Sequence, residues 1–158
     1  MKLLSAQLLN TAKKRLSQVS GRTETDLRRA ISDLYFCLFH RVCEELVSTI
    51  GVKFNDQAFN EVYRTLYRLP DHYLLEAKCK ELKSHSFSPG VCDFAIQLIN
   101  MKNKRQIADY DPLEKYVISE VENDLVRTED VLKRFSEADQ VERVRFSYFV
   151  SIKARTTK

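Results

Sequence analysis

The stretch that decides the fold runs from Thr23 to Ile50 and reads TETDLRRAISDLYFCLFHRVCEELVSTI. Thr23 followed by Asp26 predicts a helix start, because each side chain can accept a hydrogen bond from the other residue's backbone N–H. Beyond it, apolar residues recur every three or four positions and so share one wide helix face. These residues are Ile31, Leu34, Tyr35, Leu38, Phe39, Val42, Leu46 and Ile50. The sequence therefore predicts a long helix over about 24–50, which ends at Gly51.

Glycine and proline divide the rest of the chain, which holds only three of each in 158 residues. Helix interiors tolerate both residues poorly, so their positions mark helix ends and starts. The first of the further predicted helices covers about 3–19, with Val19 on its apolar face. The next is capped by Asn55 and has Phe59, Val62, Tyr63 and Leu66 inward. The others cover about 71–82, a segment opened by Ser88 and Pro89, about 113–135, and about 138–153. We therefore predict an all-α antiparallel bundle of about six to seven helices, forming one domain over 1–158 with a frayed end at about 154–158.

Composition narrows the class of protein. The longest apolar run, residues 34–39, is far shorter than the ~18 residues that a membrane span needs. Gln7 and Asn10 interrupt the apolar start, so we expect neither a signal peptide nor a membrane partner. The net charge of +4 fits a polyanionic partner but also fits an ordinary solvated surface.

Cysteine and histidine usage argues against a metal site. The four cysteines, Cys37, Cys43, Cys79 and Cys92, form no CxxC pair and have no metal-ligand spacing. We predict that they are reduced and mostly buried, in a cytoplasmic protein. The three histidines are also irregularly spaced, so we expect no metal and no cofactor.

The first candidate site is residues 101–112, MKNKRQIADYDP. Arg105 and Asp109 are four residues apart and share one helix face, so one interpretation is a surface ion pair. In the functional interpretation, Arg105 binds a phosphate through two parallel hydrogen bonds, which a guanidinium group can form. Tyr110 could then stack on a base or donate to the same phosphate, with Lys102 and Lys104 as an electrostatic rim.

Two other segments carry polar groups in helical surroundings. His40 and Tyr35 lie on the apolar second helix, either as core residues with one hydrogen bond each or, for His40, as a general base. Arg64, Arg68 and the Asp71–His72 pair surround the turn at Pro70. That cluster is either a helix break with capping groups or part of a site.

Three segments together carry a family resemblance. They read LRRAISDLYFCLFHRVCEEL (residues 27–46), VYRTLYRLPDH (residues 62–72) and KRQIADYDP (residues 104–112). The first is similar to the tyrosine-rich AYYALFH pattern in the second helix of the HEPN superfamily, and the third to an R-x-x-ADY form seen in one branch. Over roughly residues 5–150, the chain resembles these small helical-bundle proteins of prokaryotic defence and toxin–antitoxin systems.

The resemblance implies a homodimer in which the arginine motifs of both copies face a shared basic cleft. Many members are metal-independent endoribonucleases with an Arg-x(4–6)-His motif, whose arginine steadies the scissile phosphate and whose histidine assists proton transfer. Arg105 matches the arginine, but Asp109 and Tyr110 stand where the histidine is expected. The expected catalytic residues are Arg105, Asp109 and Tyr110, and the expected nucleic-acid contacts are Lys102, Lys104 and Arg105.

Two other functions remain open at this point. One is a non-catalytic HEPN module that regulates a protein partner such as a nucleotidyltransferase, or that pairs with an antitoxin. The other is a structural helical adaptor. The missing motif histidine favours the binding module, whereas the basic KNKR segment beside Tyr110 favours a protein that acts on RNA or a nucleotide.

Overall fold

The computed structural model describes residues 3–50 and 57–153, which form seven α-helices and one short 3₁₀ helix. In chain order the elements are α1 (Leu4–Ser17), α2 (Glu24–Val47), α3 (Gln57–Tyr67), α4 (His72–Lys80), the 3₁₀ helix (Glu81–Ser84), α5 (Pro89–Tyr110), α6 (Ile118–Glu137) and α7 (Gln140–Phe149). The described ranges contain no strand. The prediction of an all-α helical bundle is confirmed.

Helix α2 is the central element of the bundle and packs against α1, α3, α5, α6 and α7. It begins with the predicted capping box, in which the Thr23 and Asp26 side chains each accept a hydrogen bond from the other residue's backbone N–H. Most of its predicted apolar face has no solvent exposure at all, namely Ile31, Leu34, Tyr35, Leu38, Val42 and Leu46. Because α2 has packing partners on several sides, its position in the bundle determines which neighbouring helices its polar side chains face.

A cluster of phenylalanines joins α5, α6 and α7. The rings of Phe94 and Phe135 stack with centroids 4.2 Å apart, and Phe146 meets both edge-on at 6.0 and 5.9 Å. All three side chains are fully buried. Offset and edge-to-face contacts of this kind add to the stabilisation from burial alone.

Several local predictions were wrong. Helix α1 ends at Ser17, so Val19 lies beyond it and is almost fully exposed. Helix α3 contains no buried residue, and Phe59 and Val62 are 38% and 49% exposed. Its main packing partner is α2, so its apolar face is covered less than periodicity suggested. The predicted Asn55 cap and Gly51 stop lie outside the described residues.

Two predicted helix starts also differ in detail. Ser88 does precede Pro89 at the start of α5, but its side chain makes no capping bond. Instead its hydroxyl donates to Glu142 Oε2 at 2.8 Å, and its N–H donates to Glu142 Oε1. Helix α6 begins at Ile118 rather than near residue 113.

The structure agrees with the prediction of free and mostly buried cysteines. Cys37, Cys43 and Cys79 are buried, Cys92 is half-buried, and all four are free thiols. Within the described part of the chain, no helix combines the length and the apolar character that crossing a membrane requires.

The phenylalanine cluster predicts a large stability difference between a buried and an exposed site. Phe135→Ala should lower the free energy of unfolding by about 3–5 kcal/mol, because it opens a cavity between stacked rings. Val126→Ala, on the exposed side of the same helix α6, should change it by less than about 0.5 kcal/mol. Urea unfolding followed by circular dichroism measures both, and similar losses would contradict the packing.

Candidate functional site

The candidate site lies where α2, α4 and α5 meet. Helix α2 contributes the rings of Tyr35 and Phe36, α4 begins with His72, and the last turns of α5 carry Arg105 and Asp109. These side chains lie close together because α5 and α3 pack on α2, and α4 in turn packs on α5. The site is thus assembled from three helices that are separated in sequence.

His72 is held at the start of α4 by its neighbour Asp71. The Asp71 carboxylate accepts hydrogen bonds from the backbone N–H groups of Tyr73 and Leu74, at 3.0 Å each. This cap fixes where the helix begins and therefore where the imidazole lies. The His72 ring then packs on Phe39, with centroids 4.4 Å apart.

The imidazole of His72 shares a hydrogen bond with a buried phenol. His72 Nδ1 lies 2.5 Å from the hydroxyl oxygen of Tyr35. Burial raises the pKa of Tyr35, so the phenol stays neutral. Burial also lowers the pKa of His72, with smaller lowering effects from the charges of Arg105 and Lys102 and an opposing effect from Asp71. The imidazole is therefore neutral at pH 7.

Arg105 lies over the same aromatic rings. Its guanidinium carbon is 5.1 Å from the Phe36 centroid and 5.8 Å from the Tyr35 centroid. Its Nε lies 2.7 Å from Asp109 Oδ2, which confirms the ion pair that the four-residue spacing allowed. That contact is short but not aligned as a hydrogen bond, since the buried Nε has no hydrogen-bond partner. About a fifth of the Arg105 side chain is exposed.

The structure therefore places His72 beside Arg105, although no histidine follows Arg105 at the spacing of the sequence motif. Both His72 and Arg105 flank the rings of Tyr35 and Phe36, and the charge of Arg105 contributes to lowering the His72 pKa. His72 was noted in the sequence only as part of the turn at Pro70. Spacing within one helix could not reveal the pair, because the two residues come from different helices.

The two lysines predicted as a rim are both engaged in ion pairs. Lys102 is buried, pairs with Glu76 and lies 5.3 Å from the Tyr73 ring centroid. The Nζ of Lys104 lies 2.6 and 2.7 Å from the two carboxylate oxygens of Asp124 on α6. Of these two lysines, only Lys102 is close to His72. The charges of Lys102 and Lys104 are already neutralised by Glu76 and Asp124. Their proposed contacts with nucleic acid stay a prediction.

Asp109 and Tyr110 have different surroundings. Asp109 Oδ1 accepts a hydrogen bond from Ser32 at 2.9 Å, so this carboxylate links α5 to α2 as well as to Arg105. Tyr110 is 77% exposed and is therefore accessible to a ligand. Both residues line an open groove that also contains Arg29 and Lys115. These two exposed cations form no ion pair within the described residues.

Arg28 holds the end of α5 in place and was not singled out from the sequence. Its guanidinium donates to the carbonyl oxygens of Ala108, Asp111 and Glu114 at 2.7, 2.9 and 2.5 Å. The last carbonyls of a helix lack partners within the helix, and a cation there also interacts favourably with the helix dipole. Arg28 therefore fixes the segment that carries Asp109 and Tyr110.

His40, the histidine that the sequence offered as a general base, lies further along α2. Its Nδ1 lies 2.9 Å from the hydroxyl oxygen of Tyr67. Burial lowers its pKa, and the nearby His72 lowers it further. This geometry matches the core interpretation, in which the ring makes one hydrogen bond.

Comparison with known families, with curated proteins and with solved structures found no match for this chain. The site must therefore be interpreted from its own geometry. Within residues 3–50 and 57–153, no group of three or more His, Cys, Asp or Glu side chains could hold a metal ion.

The link between Arg105 and His72 can be tested without assuming any function. Removing the guanidinium charge in Arg105→Gln should raise the pKa of His72 toward the ordinary imidazole value, because one lowering effect is lost. An NMR titration of the histidine ring protons measures this change. The exposed Arg127→Gln on α6 should leave the pKa unchanged. An unchanged value in Arg105→Gln would mean that the two groups do not interact.

The role of Arg28 can be tested against its own neighbour. Arg28→Ala should lower the free energy of unfolding by about 1.5–3 kcal/mol, the range for hydrogen bonds to a charged group. Arg29→Ala, which removes the same charge from an exposed position, should cost less than about 0.5 kcal/mol. Chemical denaturation compares the two variants. Equal losses in the free energy of unfolding would contradict the role of Arg28 in holding the end of α5.

Proposed function

We propose that this chain is a HEPN-type protein of a prokaryotic defence or toxin–antitoxin system that cleaves RNA without a metal, as a homodimer in the cytoplasm. The observation that supports this best is the placement of Arg105 and a neutral His72 on the same two aromatic rings. A guanidinium and a neutral imidazole are the two groups that the resemblance implies for cleavage. Here the imidazole would come from α4 instead of from the residues that follow Arg105.

In the proposed reaction, Arg105 binds the non-bridging oxygens of the scissile phosphate through parallel N–H groups. His72 Nε2 accepts the proton of the ribose 2′-OH, whose oxygen attacks phosphorus. The bond from phosphorus to the 5′-oxygen breaks, and that oxygen takes a proton from solvent. The products are a 2′,3′-cyclic phosphate and a 5′-hydroxyl end.

The hydrogen bond to Tyr35 is compatible with the imidazole form that this role requires. If Nδ1 carries the hydrogen and donates it to the Tyr35 oxygen, then Nε2 has the free electron pair of a base. Tyr35 remains protonated, because burial raises its pKa. It would therefore act as a positioning residue for His72, without itself exchanging a proton with RNA.

The surroundings of α5 support the proposed RNA binding and homodimer. Arg29 and Lys115 stand beside the groove that contains Tyr110, where exposed positive charge attracts a phosphate backbone. Near the same end of α5, Ile107 and Leu113 are 45% and 85% exposed. Exposed apolar side chains beside a site are common at interfaces between protein copies.

A second function has its own supporting observation. Asp109 neutralises Arg105, while Glu76 and Asp124 neutralise Lys102 and Lys104. A site whose cations are already paired suits a non-catalytic module that regulates a partner such as a nucleotidyltransferase or an antitoxin. In that case the exposed end of α5 would contact the protein partner.

The test is cleavage and binding of RNA by wild type, Arg105→Lys, Arg105→Ala and His72→Asn, all in the presence of a metal chelator. Arg105→Lys should be impaired almost as much as Arg105→Ala, because an ammonium group cannot form the parallel bonds of a guanidinium. His72→Asn should lower the cleavage rate by about 10²–10⁴-fold and leave RNA binding largely intact.

The exposed Arg127→Ala serves as the control and should behave like wild type. If the His72 and Arg105 variants all cleave normally, the site assignment is wrong. RNA binding that needs Arg105 without any cleavage would favour the non-catalytic module. Copurification of a protein partner in the absence of RNA binding would favour it further.

A further inference from the structure

A second groove lies on a different part of the surface, between the start of α1, α2 and the end of α3. Its lining consists of Leu3, Leu4, Gln7, Glu44, Tyr63, Arg64, Tyr67 and Arg68. None of these residues belongs to the cluster around Arg105. The groove therefore needs an explanation of its own.

One rim of this groove carries two arginines, Arg64 and Arg68. Arg64 lies in α3 and Arg68 directly follows its last residue, with the Arg68 N–H donating to the Arg64 carbonyl at 3.1 Å. The helical turn thus continues to Arg68, both side chains lie on one face, and both are exposed. Neither forms an ion pair within residues 3–50 and 57–153. Like charges at this spacing repel each other, and an anion held between them would relieve that repulsion. The rim is thus complementary to a negatively charged group.

The floor of the groove carries a run of nearly parallel rings. The Tyr67 ring stacks on His40 at 5.7 Å with an interplanar angle of 28°, and on Tyr63 at 5.8 Å with an angle of 20°. The bond between the Tyr67 hydroxyl and His40 fixes the middle ring. Tyr63 is the last ring of the run and lines the groove, so a planar group can extend the stack there.

The inner wall of the groove determines the orientation of a bound ligand. The Glu44 carboxylate is buried and accepts hydrogen bonds from the Ser5 N–H at 2.9 Å and from the Ser5 hydroxyl at 2.6 Å. A second anion beside this carboxylate would be repelled. A phosphate would therefore stay at the arginine rim, while an uncharged planar group lies inward against Tyr63 and Leu4.

We propose that this groove binds a nucleoside monophosphate unit, with the base against Tyr63 and the phosphate between Arg64 and Arg68. The two arginines select the anion, and the stacked rings that end at Tyr63 select a planar aromatic group over an aliphatic one. Such a unit occurs both in a free nucleotide and at the phosphorylated end of an RNA strand. The proposal does not depend on cleavage at Arg105, since the two sites share no residue.

Isothermal titration calorimetry with AMP, ribose 5-phosphate, adenosine and a 5′-phosphorylated RNA pentamer tests the proposal. AMP should bind at least about tenfold more tightly than either ribose 5-phosphate or adenosine, because each of those lacks one of the two recognised groups. Arg64→Gln and Arg68→Gln should each weaken AMP binding at least about tenfold, as expected for a lost charged hydrogen bond. Tyr63→Leu should weaken it about fivefold to a hundredfold.

Two controls separate this groove from the site at Arg105. Arg127→Gln, an exposed arginine on α6, should bind AMP like wild type, and so should Arg105→Gln. Circular dichroism of each variant confirms that the fold survives. Binding of the pentamer alone, if lost in Arg64→Gln and Arg68→Gln, supports the same groove with a strand end as its ligand.

Three outcomes would overturn the proposal. Equal affinity for AMP and ribose 5-phosphate would reduce the groove to a non-selective anion patch. Loss of AMP binding in Arg105→Gln, with Arg64→Gln and Arg68→Gln unaffected, would move the nucleotide to the other site. Absence of binding by all four probes, together with dissociation of a dimer in Arg64→Gln and Arg68→Gln, would make the groove an interface between copies of the chain.

Discussion

Burial of the Tyr35 phenol in the middle of α2 is the constraint on which the candidate site depends. A hydroxyl group in the protein interior costs free energy unless it finds a hydrogen-bond partner. Here that partner is the imidazole of His72, at 2.5 Å. The start of α4 must therefore lie against α2, which the Asp71 cap reinforces. The Arg105 guanidinium lies over the same phenol ring, 5.8 Å from its centroid, so one buried phenol brings together groups from three helices.

The basic segment of α5 is compact in sequence but dispersed in space. Successive residues of an α-helix point about 100° apart, so Lys102, Lys104 and Arg105 face different neighbours. Lys102 meets Glu76 on α4, Lys104 meets Asp124 on α6, and Arg105 meets the rings of α2. Of the three, Arg105 alone lies on those rings, and it already has Asp109 as a counter-ion. Within the described parts of the chain, the positive charge near this site that forms no ion pair comes from other segments, at Arg29 and Lys115.

Much of the fold could be predicted, because caps and hydrophobic periodicity are local properties. The capping box at Thr23, the Asp71 start of α4 and the buried face of α2 all follow from spacing within a few residues. Periodicity failed for α3, since an apolar face shows which side seeks burial but not whether another helix covers it. The contact of Ser88 with Glu142 and that of Arg28 with the end of α5 join distant parts of the chain. No local pattern specifies them, and the same holds for His72 beside Arg105.

The central claim is that Arg105 and His72 lie on the two rings of Tyr35 and Phe36. The most direct test is nuclear Overhauser spectroscopy of the isotope-labelled protein, focused on the ring protons of these two aromatic residues. The structure predicts cross-peaks from the rings to the His72 imidazole protons and to the Arg105 side chain in the same sample. Cross-peaks from Arg105 to neighbouring α5 residues alone, with none to Tyr35 or Phe36, would contradict it.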